Sequence, residues 1–185
     1  MQIDSDHTLG SARQIASPNR DARPAGERIS LVVIHAISLP PGHFGTKFIE
    51  ELFTNSLDAS AHPSFDSLRD TRVSSHLLLA RDGQVTQFVP FDLRAWHAGQ
   101  SSHRGRSNCN DFSIGIELEG TETDPFTDSQ YDSLVDVLKT MISKYPDIAL
   151  GNIVGHNEIA GDRKWDPGPQ FDWLRLMQSL TKSRD

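Results

Sequence analysis

A single-domain α/β fold, with a mixed central β-sheet flanked by helices, is what this sequence predicts, and three observations carry the prediction. Short β-branched runs alternate with segments of helical periodicity, the pattern of a sheet covered by helices. One pair of runs is joined by Arg81-Asp82-Gly83, a tight-turn sequence that makes at least one neighbouring pair antiparallel. The length, 185 residues, suits one hydrophobic core.

The elements follow in order. Residues 1–28 are polar and contain proline, and are expected to form an extended lead-in on the surface before a domain at 29–180. Leu31 to His35, LVVIH, is a continuous apolar run that reads as a strand buried on both faces and ends on a histidine. After Pro40-Pro41-Gly42, the stretch Thr46 to Phe53 places Phe48, Leu52 and Phe53 on one helical face. His76 to Ala80 and Gln84 to Pro90 form the expected hairpin. In a strand at Phe112 to Leu118, Ile114, Ile116 and Leu118 alternate with Gly115 and Glu117, so the two sets point to opposite faces. The longest helix is expected over about Asp128 to Tyr145, with apolar residues at spacings of 3 and 4, a capping box from Thr127 to Gln130 and a stop at Pro146. A short strand at Asn152 to Val154 delivers His156, and a last helix spans roughly Gln170 to Leu180.

Composition excludes several function classes. The chain is 36% hydrophobic and 23% charged, and no run approaches the roughly 20 apolar residues of a membrane span, so none is expected. A net charge of -7 without a basic run argues against nucleic acid, which is bound through clustered Lys and Arg. The first 20 residues lack the basic start and apolar core of an export signal, and Cys109 is the only cysteine, so a cytoplasmic protein without an intrachain disulfide is expected.

Two histidines, His35 and His156, stand at the ends of separate strands, and Asp166 follows ten residues after the second in a loop rich in Pro and Gly. Catalytic zinc takes three such ligands and keeps a fourth position for water, whereas closed structural sites are usually rich in Cys. Spacing alone leaves two readings open, a metal centre or hydrogen-bonded structural histidines.

The strings VIHAISLPPGHFGT, AHPSF, VSSHLLLARDGQVTQFVPFDLRAWHAG, CNDFSIGIELEGTETDPFTDSQY and GHNEIAGDRKWDPGPQFDW resemble, in the same order over about Pro18 to Trp173, those of the 1,6-anhydro-N-acetylmuramoyl-L-alanine amidases, the AmpD type. The resemblance implies the amidase fold shared with peptidoglycan recognition proteins, a zinc cleft, and hydrolysis of the amide between (1,6-anhydro-)N-acetylmuramic acid and L-alanine in peptidoglycan fragments during cell-wall recycling. It implies one Zn²⁺ per chain on His35, His156 and Asp166, with Glu117 and Lys164 as catalytic residues. A zinc-bound water is a nucleophile near neutral pH, Glu117 would shuttle its proton, and Lys164 would stabilise the oxyanion. Arg72, His76, Trp96 and His97 are the expected substrate-binding residues; for His76 a place in the core and for Arg72 a plain surface role are equal readings, a Trp-His pair such as Trp96-His97 is more often packing, and Glu119 competes with Glu117 by pattern. The expected partner is a muropeptide, bound by a monomer.

Three positions depart from the family pattern: Ala36 where an Asn follows the first histidine, Asn108 where an Arg precedes Cys109, and Trp165 where a small Thr precedes Asp166. Arg104 or Arg106 could compensate from the same loop as Asn108. None is an expected ligand, so the departures bear on substrate preference. They leave two alternatives beside the recycling amidase, a broader peptidoglycan amidase and a muropeptide-binding module that does not cut.

Overall fold

The computed structural model describes residues 1–182. In chain order the strands are β1 (Arg13–Gln14), β2 (Arg20–Ala22), β3 (Leu31–Ile37), β4 (Leu77–Leu79), β5 (Val85–Gln87), β6 (Leu93–Ala95), β7 (Ser102–His103), β8 (Arg106–Ser107), β9 (Ser113–Glu119) and β10 (Ile153–Gly155). The α-helices are α1 (Phe48–Phe53), α2 (Asp128–Lys144), α3 (His156–Ala160) and α4 (Trp173–Thr181).

A six-stranded sheet in the order β1-β5-β4-β9-β3-β10 forms the centre. Its pairs are parallel except β4 with β5, the hairpin expected around Asp82-Gly83, so the sheet is mixed. Gly83 has φ +85° and lies so close to the start of α2 that a Cβ there would sit 2.7 Å from the Ser129 carbonyl oxygen, which makes glycine a requirement of both turn and packing. The middle strand β9 is buried along its whole length, as a parallel strand covered on both faces must be.

One face of the sheet is apolar throughout. Val32, Ile34, Leu77, Leu79, Ile114, Ile116 and Leu118 pack there with Tyr131, Leu134, Leu138 and Met141 of α2 and Leu176 of α4. Each such side chain, fully buried, contributes roughly 1.5–3 kcal/mol of transfer free energy. Helix α2 starts where the sequence places it: Thr127 Oγ1 accepts from the Gln130 N–H at 3.1 Å, and Gln130 Oε1 accepts from the Thr127 N–H at 3.0 Å. The other face holds α1, whose Ile49, Leu52 and Phe53 pack with Phe65, Leu78 and Phe88, and a smaller cluster around Val33, Phe112 and Val154. His35 of β3 and Glu117 of β9 project from this second face.

The first 28 residues, expected as an extended surface segment, are in part built into the fold, through an edge strand of the central sheet and a strand of a separate two-stranded sheet. Leu9 is fully buried, β1 adds the edge strand beside β5, and β2 pairs with β6. Arg23 is half-buried; its guanidinium donates to the carbonyls of Phe91, Asn110, Asp111 and Ser113, and desolvation lowers its pKa to about 10. A handful of apolar positions among polar neighbours carry this docking, so hydrophobic periodicity did not reveal it.

Candidate metal centre

Strand parity sets the first ligand. Because side chains alternate along β3, Val32 and Ile34 enter the apolar core and His35 projects to the other face. In the parallel pairing of β3 with β9, His35 stands opposite Glu117, so both point the same way. On the other side of β3, β10 ends at Gly155, opposite Ile34, and His156 follows as the first residue of α3 rather than as a strand residue. The loop that brings Asp166 back is fastened to α3 by its own carbonyl, which accepts from the Asn157 N–H at 2.9 Å.

The three side chains converge. His35 Nδ1 lies 3.0 Å from His156 Nδ1, and Asp166 Oδ2 lies 3.0 Å from each of them. All three residues are buried. Burial drives the His35 pKa down to about 4, and although burial alone would raise Asp166, hydrogen bonds from His156 and His35 hold its carboxyl well below the usual carboxylate range. A neutral imidazole and an ionised carboxylate are the forms that bind a cation. Zinc bonds of about 2.0–2.1 Å in a tetrahedral site separate ligand atoms by roughly 3.3 Å, close to the spacing found here, and two nitrogens with one oxygen match the donor set of an open catalytic zinc site. The residues therefore fit the ion.

The cluster opens on a cavity of about 270 Å³ whose lining includes Thr71, His97, Glu117, Lys164 and Trp165. Burial, and then the charge of Asp166, holds the Glu117 carboxyl well above its usual range, with the Lys164 ammonium opposing them. Glu119, two residues on, serves the scaffold instead. It is 3% exposed and accepts from the N–H groups of Gly45 at 2.5 Å and Arg81 at 3.3 Å, tying two loops to the sheet. Of the two glutamates, Glu117 is the one that faces the cavity.

Comparison with known proteins agrees with this geometry. The sequence pattern of the N-acetylmuramoyl-L-alanine amidases matches residues 25–169. The chain belongs to that family. The amidase is 55% identical to the 1,6-anhydro-N-acetylmuramyl-L-alanine amidase AmpD of Enterobacter cloacae, over 96% of this chain and 94% of that one. A crystal structure of a selenomethionine derivative of AmpD superposes with a TM-score of 0.95 at 53% identity, covering 98% of this chain and 100% of the other. AmiD of Escherichia coli, solved with anhydro-N-acetylmuramic acid-L-Ala-D-γ-Glu-L-Lys, is 34% identical with a TM-score of 0.61, over 86% of this chain and 60% of its own.

The four expected substrate-binding residues separate. Arg72 is exposed between Thr71 and Val73, both of which line the cavity, and donates to the Thr71 carbonyl. Trp96 is not among the residues that line the cavity, and its side chain hydrogen-bonds the carboxylate of Asp21. His76 is fully buried in the amidase core: its Nδ1 accepts from the Gly115 N–H at 3.0 Å, its Nε2 contacts Leu93 O and Arg23, and burial lowers its pKa to about 3. It is a core histidine with no face toward a ligand. His97 lines the cavity, but both ring nitrogens are engaged, one with His35 and one with Ser113. Burial, then the neighbouring imidazole of His35, holds its pKa well below the usual histidine range.

Of the three departures, Ala36 and Trp165 line the cavity, while Asn108 lines a separate groove of about 790 Å³ beside α3. Arg104 and Arg106 are committed elsewhere, to the Gly151 carbonyl and the Glu27 carboxylate. Ala98 and Asn110 lie within the strings that carry the resemblance but are not among the expected site residues; the Ala98 carbonyl meets His156 Nε2 and the Asn110 amide oxygen accepts from the His97 and Ala98 N–H groups, contacts that leave no signature in sequence.

Proposed function

We propose that this amidase hydrolyses the amide between N-acetylmuramic acid, in its 1,6-anhydro form, and L-alanine in peptidoglycan fragments released for cell-wall recycling, with one Zn²⁺ held by His35, His156 and Asp166. The observation that carries the reading is the convergence of those three ligand atoms, 3.0 Å apart, at one end of a cavity that Glu117 and Lys164 also line. The relatives that are similar over nearly the whole chain bear the same activity in their names. A bound zinc ion supplies Lewis acidity and makes a water molecule acidic enough to lose a proton near neutral pH.

The chain's own groups do the rest. Glu117 takes the proton from the attacking water as oxygen adds to the amide carbon, and returns it to the alanine nitrogen as the C–N bond breaks, so that a neutral amine leaves. Its carboxyl, raised by burial, holds a transferred proton more firmly than an exposed carboxylate would, which suits the second half of that exchange. The Lys164 ammonium faces the oxyanion that forms at the carbonyl oxygen. Arg72, at the edge of the cavity, pairs with a carboxylate of the peptide stem. The amidase works as a cytoplasmic monomer on this reading. No helix among the described residues is long and apolar enough to cross a membrane, and Cys109 is a buried free thiol.

Zinc analysis of the purified protein combined with mass spectrometry of an anhydro-muropeptide digest tests the proposal. The expected result is one zinc per chain and release of a peptide with a free L-alanine amine. Bound metal with no cleavage of any muropeptide would favour a binding module instead. Ala36, which offers the cavity no hydrogen-bonding group, favours a second reading in which the enzyme also accepts uncleaved cell wall. The ratio of turnover on anhydro-muropeptides to turnover on intact peptidoglycan separates the two.

A further inference from the structure

Each ligand imidazole uses one ring nitrogen toward the cluster, and the second nitrogen of each meets the same short segment. His35 Nε2 lies 2.9 Å from His97 Nδ1, and His156 Nε2 lies 3.2 Å from the carbonyl oxygen of Ala98. These partners are consecutive residues in the loop that follows β6. The loop is itself fixed by one side chain: Asn110 Oδ1 accepts from the N–H of His97 at 3.2 Å and from that of Ala98 at 2.8 Å. Asn110 stands in the 3-10 turn Cys109–Asp111 that leads into β9.

The proton positions follow from the contacts. A neutral imidazole carries one N–H, and a nitrogen that binds a metal must be bare. With a zinc ion taken by His35 Nδ1, the His35 proton belongs on Nε2, and His97 Nδ1 accepts it. The His97 proton is then on Nε2, where Ser113 Oγ accepts it at 3.1 Å. Space for the ring comes from β9, since a Cβ on Gly115 would lie 2.5 Å from His97 Cγ. Glycine there lets the ring lie against the strand between Ser113 and the ligand.

We propose that His97 is a positioning residue of the metal centre: it fixes the tautomer and ring orientation of His35, while Asn110, through the His97–Ala98 backbone, sets both ligand imidazoles together. This rests on the zinc reading above. The experiment compares zinc affinity, by competition with a chromophoric chelator, in the full chain, His97→Leu and His97→Asn. Asn places an acceptor oxygen near the site of Nδ1, and Leu places none.

His97→Leu should weaken zinc binding about 10–100-fold, the usual cost of losing an outer-shell partner, and His97→Asn should recover most of that loss. Circular dichroism with chelator present checks that both variants keep the metal-free fold. Equal zinc affinity in all three proteins overturns the proposal. Should His97→Leu fail to fold, the parent still decides, because ¹⁵N NMR of its zinc-loaded form should show His97 bare at Nδ1 and protonated at Nε2; the opposite tautomer overturns the inference. A parent that binds no zinc removes the zinc assignment itself, a different result from a parent that binds while its variants are indifferent to position 97.

Discussion

On β9, Ile114, Ile116 and Leu118 enter the apolar core under α2, while the residues between them face the other way, where Ser113 meets His97, Gly115 makes room for it, Glu117 faces the cavity and Glu119 anchors two loops. The same division holds on β3, with Val32 and Ile34 on one side and His35 on the other. Stability and chemistry thus come from alternate residues of the same strands. The apolar face can be packed to high density without regard to function, and the polar face is held rigid by it. On these two strands the imidazole and the carboxyls, which an apolar core would not tolerate, all project to the side away from α2.

Substitutions on the two faces should therefore fail differently. The largest effect is expected at Asp166→Ala, which should release zinc and, by losing several kcal/mol of transition-state stabilisation, lower turnover about 1,000-fold or more, read by metal analysis and anhydro-muropeptide cleavage. Retained zinc in that variant would break the ligand assignment. Glu117→Ala should lower kcat by about 100- to 10,000-fold while zinc content is unchanged; near-normal rates would remove Glu117 as the proton carrier. Across the sheet, Ile116→Ala should cost about 2–5 kcal/mol in urea unfolding, yet the folded fraction should keep its zinc and its kcat. If it lost metal affinity at the same time, the two faces would be coupled and the separation drawn above would fall.

The smallest effect concerns pH in the zinc-free protein. Burial lowers His35 to about 4 and His76 to about 3 from an ordinary 6.5, and lowers His97 as well. For such groups the unfolded chain takes up protons that the folded one does not, so their contribution is complete above the ordinary pKa and is lost as pH falls through the folded values. Glu117, raised from 4.5, acts in the opposite sense, losing its contribution as pH rises. Three histidines against one carboxyl should lower the urea midpoint at pH 5 relative to pH 7. A midpoint that rises at pH 5 would show that these rings are not held neutral by the fold.

What was legible in the sequence is what neighbours within one element dictate. The alternation that puts Glu117 opposite in direction to Ile116, the Thr127 and Gln130 cap of α2, and the Asp82-Gly83 turn all depend on residues a few positions apart, so period and turn chemistry exposed them. The resemblance brought His35, His156 and Asp166 forward together, but no spacing said that they would meet. Which of the remaining histidines lies against the His35–His156–Asp166 cluster and which belongs to the core emerged from the folded arrangement alone. His76 and His97 are alike in sequence terms; one is enclosed by Arg23 and the Gly115 backbone, and the other reaches His35 because Gly115 lacks a side chain. The register of β3 against β9, and the burial of Leu9 from a polar leading segment, were likewise settled by assembly. Strands far apart in the chain share no local signal, and a hydrogen-bond partner is a property of the folded molecule rather than of the residue that makes it.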